Sequence, residues 1–240
     1  IGLIPELQRR NVTINDPNNP GRIYFSGKGL NYPYRVSEES KKFLDDLIAE
    51  SQKQVTRMIE KVNYLLQSIY PEMSLTYNDV KSKYAKELVR ERHIAKAVRI
   101  LVEKNYPKKS GKMMFYTELF DVEPRSNPED IPAIENEIRS KLLKAGGSAF
   151  VPESPASFPP VERISEYILD AGGIPCYPVL LDDRKGNVIT VFERDWEFMN
   201  EQLKSMNVHM IELIPSRNSV PKLREFIKYF TKKGYVISLG

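Results

Sequence analysis

The sequence predicts an α/β protein that carries a large helical arm, and three observations predict it. Residues 37–144 read as one helix after another with no strand between them. From Val161 onward helices and strands alternate, and the strands are almost wholly apolar. Ahead of both, residues 1–35 are turn-rich and hold one short apolar strand. Alternation with near-continuous apolar strands implies a parallel sheet covered by helices. The spacing suits consecutive units of a barrel as well as an open sheet. The expected organisation is 1–35 as strand and loops, 36–150 as the helical arm, and 151–240 as β/α units.

A chain of 240 residues can bury a sizeable core. Its 41% hydrophobic and 28% charged residues are ordinary for a globular protein. No apolar run approaches the length of about eighteen residues that a spanning helix needs, so no membrane partner is expected. A net charge of +4 gives no dense basic face, so no nucleic-acid partner is expected. One cysteine rules out an internal disulfide framework and fits a reducing, cytoplasmic setting. With two histidines and that one cysteine, a metal site built only from this segment would depend mostly on carboxylates. The opening IGLIPELQRRN lacks both the layout of a secretory signal and an initiator Met, so an internal segment of a longer protein is expected.

The elements follow in order. NDPNNPG (Asn15 to Gly21) strings turn formers together, and RIYFS (Arg22 to Ser26) is the short strand. GKG (Gly27 to Gly29) then reads as a strand-ending turn, with a small anion-binding nest as the alternative. Ser37 is a natural N-cap for a helix expected to reach Tyr70, with apolar residues such as Phe43, Leu47, Val55, Met58 and Val62 at steps of three and four. At 1.5 Å per residue that rod is roughly 50 Å long. Pro71 stops it. Thr76, with Asp79 three residues on, starts another helix. Further helices are expected at Glu91 to Lys104 and Ile131 to Lys144, the latter closed by Gly146 and Gly147. Lys104, Lys108, Lys109 and Lys112 around Pro107 read as a solvated loop.

In the last third, a helix at Val161 to Ala171 precedes a strand at Ile174 to Leu181. A hairpin-like turn at DRKGN and a strand at Val188 to Phe192 follow. Then come a helix (Asp195 to Ser205), a strand (Val208 to Ile214), a helix (Val220 to Lys233) and a strand (Tyr235 to Leu239). Functional groups in such folds gather at the carboxyl ends of the strands.

The order of five segments adds a resemblance. ERHIAKAV (Glu91 to Val98), AFVPES (Ala149 to Ser154), DAGGIPCYP (Asp170 to Pro178), MIELIPS (Met210 to Ser216) and GYVISLG (Gly234 to Gly240) together resemble the PHP (polymerase and histidinol phosphatase) family of metal-dependent hydrolases. The resemblance covers about residues 20 to 240 by motif order. It implies a distorted seven-stranded, TIM-like (β/α)7 barrel, present here in part, with a helical insertion. It also implies divalent metal ions (zinc, manganese or iron) and hydrolysis of a small-molecule or nucleotide phosphate. The family's opening His-x-His and closing Asp-x-His are absent and would lie before Ile1 and after Gly240. Its strand-end histidine aligns with Tyr177, and a second histidine with Tyr24. A phenol with a pKa near 10 is a poor substitute for imidazole as a metal ligand.

Particular residues carry the functional expectations. Arg92 and His93 would meet a substrate phosphate, or His93 caps its helix. Tyr177 lines a pocket or sits in the core with its hydroxyl bonded. Glu212, inside the apolar strand MIELI, needs a cation, a metal or a pocket. Tyr177 and Glu212 are the candidate catalytic pair. Arg217, Asn218 and Tyr24 are candidate substrate contacts, and an ordinary loop explains Arg217 and Asn218 equally well. Asp182 and Asp183 read first as a turn, His209 as structural, and Cys176 lacks a base to make it a nucleophile. The competing reading is a degenerate barrel that binds without hydrolysing.

Overall fold

The computed structural model describes residues 1–183 and 185–240. Arg184, in the turn expected at DRKGN, lies outside the described residues. The fold is mixed α/β, with helix over about half of the chain. It divides into two compact units, one of residues 1–44 with 158–240 and one of residues 45–157.

The first unit holds a four-stranded sheet in the order β3 (Ser26–Lys28), β4 (Ile174–Pro178), β5 (Met210–Leu213) and β6 (Val236–Leu239). β3 runs antiparallel to β4, and β4, β5 and β6 are parallel. A separate two-stranded piece joins β1 (Gly2–Leu3) to β2 (Arg22–Ile23), with the short helix α1 (Pro5–Arg9) between them. Among the described residues the sheet is open; no closed barrel forms. Helices α7 (Val161–Asp170), α8 (Trp196–Ser205) and α9 (Val220–Lys232) connect the strands, and α2 (Glu38–Ile69) begins in this unit. The joint between α7 and β4 needs glycine. Gly172 takes φ +74°, and the N–H groups of Gly172 and Gly173 close the helix onto Leu169 and Ile168 carbonyls.

Register decides which side chains share a face. Cys176 pairs with Met210 and Met210 with Val236; Tyr177 pairs with Ile211 and Ile211 with Ile237; Pro178 pairs with Glu212 and Glu212 with Ser238. Alternation along a strand therefore puts Tyr177 and Ile211 on one face and Cys176, Glu212 and Ser238 on the other. The first face is buried in a core with Leu203, Phe226 and Phe230 from α8 and α9. On the second face Ile174 and Val236 are about half exposed.

The second unit is a helical bundle: the Asp45–Ile69 part of α2, α3 (Tyr77–Tyr84), α4 (Glu91–Asn105), α5 (Lys109–Phe120) and α6 (Ile131–Ile138). Val62 and Leu66, Ile94 and Val98, Phe115, and Ile134 and Ile138 form its core. Thr76 caps α3 by accepting from Asp79 N at 3.0 Å. Helix α6 does not run regularly to Lys144. At Arg139 it passes into a π-turn, Arg139–Leu143.

Three local expectations are corrected. GKG does not end a strand: Gly27 and Lys28 belong to β3. Val188 to Phe192 is not a strand. Val188 makes one isolated bridge to Asp182, and Phe192 leaves for the core with its N–H on the Thr13 carbonyl, so no ladder forms. Lys109 and Lys112 are not in a loop. Buried Phe115, Tyr116 and Leu119 anchor a helix there, and Lys112 is buried on Glu129 at 2.7 Å. The stem of a lysine can be buried wherever its ammonium finds a carboxylate.

Candidate functional site

Polar groups do gather beyond the carboxyl ends of β4 and β5, but they satisfy one another. The Tyr177 hydroxyl donates to Glu193 Oε1 at 2.6 Å, Leu180 N donates to the same oxygen at 2.7 Å, and the Thr190 hydroxyl donates to Oε2 at 2.7 Å. All four residues are buried. Burial raises the Glu193 pKa to about 7 against the opposing pull of those three bonds. Burial first, and Glu193 second, hold the Tyr177 phenol well above its ordinary pKa, so it stays a neutral donor.

Neighbouring residues follow the same pattern. Asp182 is buried and accepts from Ser219 N at 2.9 Å and from the Ser219 hydroxyl at 2.5 Å. Asn218 is buried too, and its amide reaches the Ile214 carbonyl at 3.0 Å, which makes it a loop tie. Arg217 beside it is exposed. The Asn15 side chain accepts from Tyr24 N, donates to the Tyr24 carbonyl and reaches the Pro178 carbonyl at 2.8 Å, while Tyr24 stays 46% exposed. Asp183 organises the turn by accepting from Lys185 N and Asn187 N. His209 is exposed against Asn207.

Glu212 does have a cation. Lys28 Nζ lies 2.7 Å from its Oε1, and the Ser26 hydroxyl approaches Oε2 at 3.4 Å. Lys28 sits opposite Ile174 and Glu212 opposite Pro178, so the lysine stem crosses β4 diagonally above Cys176. That roof explains a fully buried thiol on a partly open face. Burial is also the main cause that raises the Cys176 pKa.

The register therefore separates the candidate catalytic pair, Tyr177 and Glu212. Tyr177 points into the core and Glu212 lies on the opposite sheet face. Nor do these residues suit a divalent metal: the phenol is a buried neutral donor, and an ammonium already neutralises the carboxylate. Among the described residues no group of three or more His, Cys, Asp or Glu side chains is placed to hold a metal ion.

The second unit offers a different site. A cavity of about 430 Å³ has Arg90, Arg92 and Arg139 on its polar side, with Glu91 and Glu153, and Val55, Met58 and Phe150 among its apolar walls. Across Arg90 and Arg92 lies a second hollow of about 390 Å³ that His93 also lines. Arg90 is the N-cap residue of α4, so Arg92 stands in the first turn, where unpaired N–H groups favour an anion. Among the described residues Arg90 and Arg92 form no ion pair.

His93 caps the helix. Its Nδ1 accepts from Arg90 N at 3.1 Å. Burial, then Arg92, Arg90 and Lys96, hold its pKa below the usual value. The ring is thus neutral with its proton on Nε2, which makes the 3.4 Å approach of Arg92 Nε a contact between two donors, not a hydrogen bond. Arg139, Glu193 and Lys28 were missed in the sequence, where each looks like an ordinary surface charge.

No protein-family model matches this sequence. No curated protein matches it either. Among solved structures, the chain is similar to a candidate metal-dependent phosphoesterase from Bifidobacterium adolescentis, at 14% identity and a TM-score of 0.48. That alignment covers 86% of this chain and 59% of the other, so the chain spans about three-fifths of that protein's length. Among the described residues no helix is long and apolar enough to cross a membrane.

Proposed function

We propose that the chain is part of a PHP-type phosphoesterase and that its helical unit supplies the phosphate contacts. The observation that carries the reading is the placement of Arg92, in the ERHIA segment, on the wall of a cavity with Arg90 and Arg139 beside it. Guanidinium groups suit phosphate because their planar forks donate two parallel bonds. The ligand is a phosphate ester of a small molecule or nucleotide in a cytoplasmic setting. His93 holds the first turn of α4 in place. The four-stranded sheet is then a portion of a larger TIM-like barrel into which the helical unit is inserted. The divalent metal, whether zinc, manganese or iron, draws most of its ligands from sequence outside residues 1–240. Phosphatase assays with metal analysis on the whole protein test the hydrolytic part; absence of both metal and phosphoester turnover contradicts it.

A second reading, a binding module that has lost hydrolysis, is favoured by one observation: the Tyr177 hydroxyl is used up on Glu193 inside the core. Under this reading the arginine cavity binds a phosphate ester and releases it unchanged. Binding without turnover in the whole protein is its expected result.

A further inference from the structure

We infer that the arginine cavity selects phosphate monoesters of polyhydroxylated molecules, sugar phosphates among them, and that Glu91 and Glu153 read the hydroxyls. The inference rests on the phosphate reading of that cavity and adds a ligand class to it. The lining divides into donors and acceptors. Arg90, Arg92 and Arg139 can only donate, which suits a phosphate. Glu91 and Glu153, ionised at neutral pH, can only accept, and they line the same space. Ser51 and Gln54 join them from one face of α2, where side chains three residues apart are neighbours. The Gln54 amide nitrogen is committed to the Val151 carbonyl at 2.8 Å, which leaves its amide oxygen as an acceptor.

The apolar residues offer a ligand little. Val55, Met58 and Val89 are 5%, 2% and 1% exposed, so they close the cavity without presenting much surface to it. Arg90, Arg92 and Glu153 are exposed, and Ser51, Gln54, Glu91 and Arg139 are half-buried. An organic group entering this space therefore meets oxygen and nitrogen atoms on most sides. Phe150 adds one partly exposed ring, which a sugar can cover with its C–H face.

Once a phosphate takes the arginines, the acceptors still need donors. Hydroxyl groups supply them without adding charge. An ammonium suits the site less, because three arginines against two glutamates leave the lining net positive. The Glu91 carboxylate keeps lone pairs for a hydroxyl, since Arg139 stands 3.7 Å away, beyond hydrogen-bond length. An apolar group would strip water from these acceptors and return nothing, the mismatch by which a hydroxyl-reading site rejects an analogue that lacks hydroxyls. About 430 Å³ is room enough for one sugar ring and one phosphate group.

The test is direct binding, read by calorimetry, of glucose 6-phosphate, phenyl phosphate and inorganic phosphate to the protein and to its Glu91→Ala and Glu153→Ala variants. Melting curves check that each variant is folded; where one is not, the other and the wild-type comparison decide. Glucose 6-phosphate is expected to bind about tenfold or more tightly than phenyl phosphate, the gain of one hydrogen bond to a charged group. Each variant should lose about tenfold for glucose 6-phosphate. Inorganic phosphate should bind the variants as before or more tightly, because removing a carboxylate removes only repulsion for the free anion. A merely structural glutamate would weaken both ligands together. Phenyl phosphate binding as tightly as glucose 6-phosphate overturns the inference, and so does an unchanged affinity ratio of glucose 6-phosphate to inorganic phosphate in either folded variant. Arg92→Ala separates the two claims. If the probes bind alike and that variant weakens all of them, the phosphate reading of the cavity stands and the hydroxyl reading falls. If no probe binds the protein at all, both fall.

Discussion

Tyr177 and Glu193 form a buried donor–acceptor pair 2.6 Å apart, and that pair fixes what the end of β4 can do. A tyrosine committed to a core carboxylate is a structural post. The Tyr177→Phe variant leaves Glu193 short of one donor, so a loss of about 1–3 kcal/mol of stability is expected in denaturant titrations. An unchanged midpoint would remove the pair from the list of structural contacts.

Glu193 also makes stability depend on pH. Its folded-state pKa is raised to about 7 from 4.5, so between those values the folded protein holds a proton that the unfolded chain has released. Stability from this group is fully present below about pH 4.5 and is lost as pH rises through about 7. The difference between wild type and Glu193→Gln should fall by on the order of 3 kcal/mol across that window. Parallel pH profiles for the two proteins would contradict this.

His93 works in the opposite direction. Its folded pKa is depressed, so its stabilising contribution is present above the unfolded value near 6.5 and fades as pH falls through the folded one. His93→Ala removes a cap, with an expected cost of about 0.5–2 kcal/mol at neutral pH and less in acid. Thermal unfolding at the two pH values reads both effects.

Lys28 has a chemical readout. If its stem and ammonium roof Cys176, then Lys28→Ala should expose the thiol, and labelling by a maleimide should speed up well before global unfolding. Equal labelling rates in folded wild type and variant would show that something else covers the sulfur.

Much of the fold was legible in the sequence because periodicity reports burial. The long helix expected from Ser37 to Tyr70 appears as Glu38–Ile69, and the strand–helix alternation after Val161 appears as β4, α8, β5, α9 and β6. What could not be read depends on distant partners. Val188 to Phe192 has the composition of a strand, but Thr13 takes the N–H of Phe192. The helix at Lys109 was hidden by its lysines, although Phe115, Tyr116 and Leu119 carried the signal. At the site, Glu212 did need a cation, as an acidic residue in an apolar strand should, but the sequence could not say that Lys28 provides it. Tyr177 was correctly placed near a strand end, yet the side it faces follows from register, which sequence spacing leaves open.

The most direct measurement is calorimetric titration of the protein, and of its Arg92→Ala variant, with a phosphate monoester such as phenyl phosphate. Saturable binding to the wild type that weakens about tenfold or more in Arg92→Ala is the predicted result. Absence of binding, or the same affinity in both proteins, would contradict an arginine-built phosphate site in the helical unit.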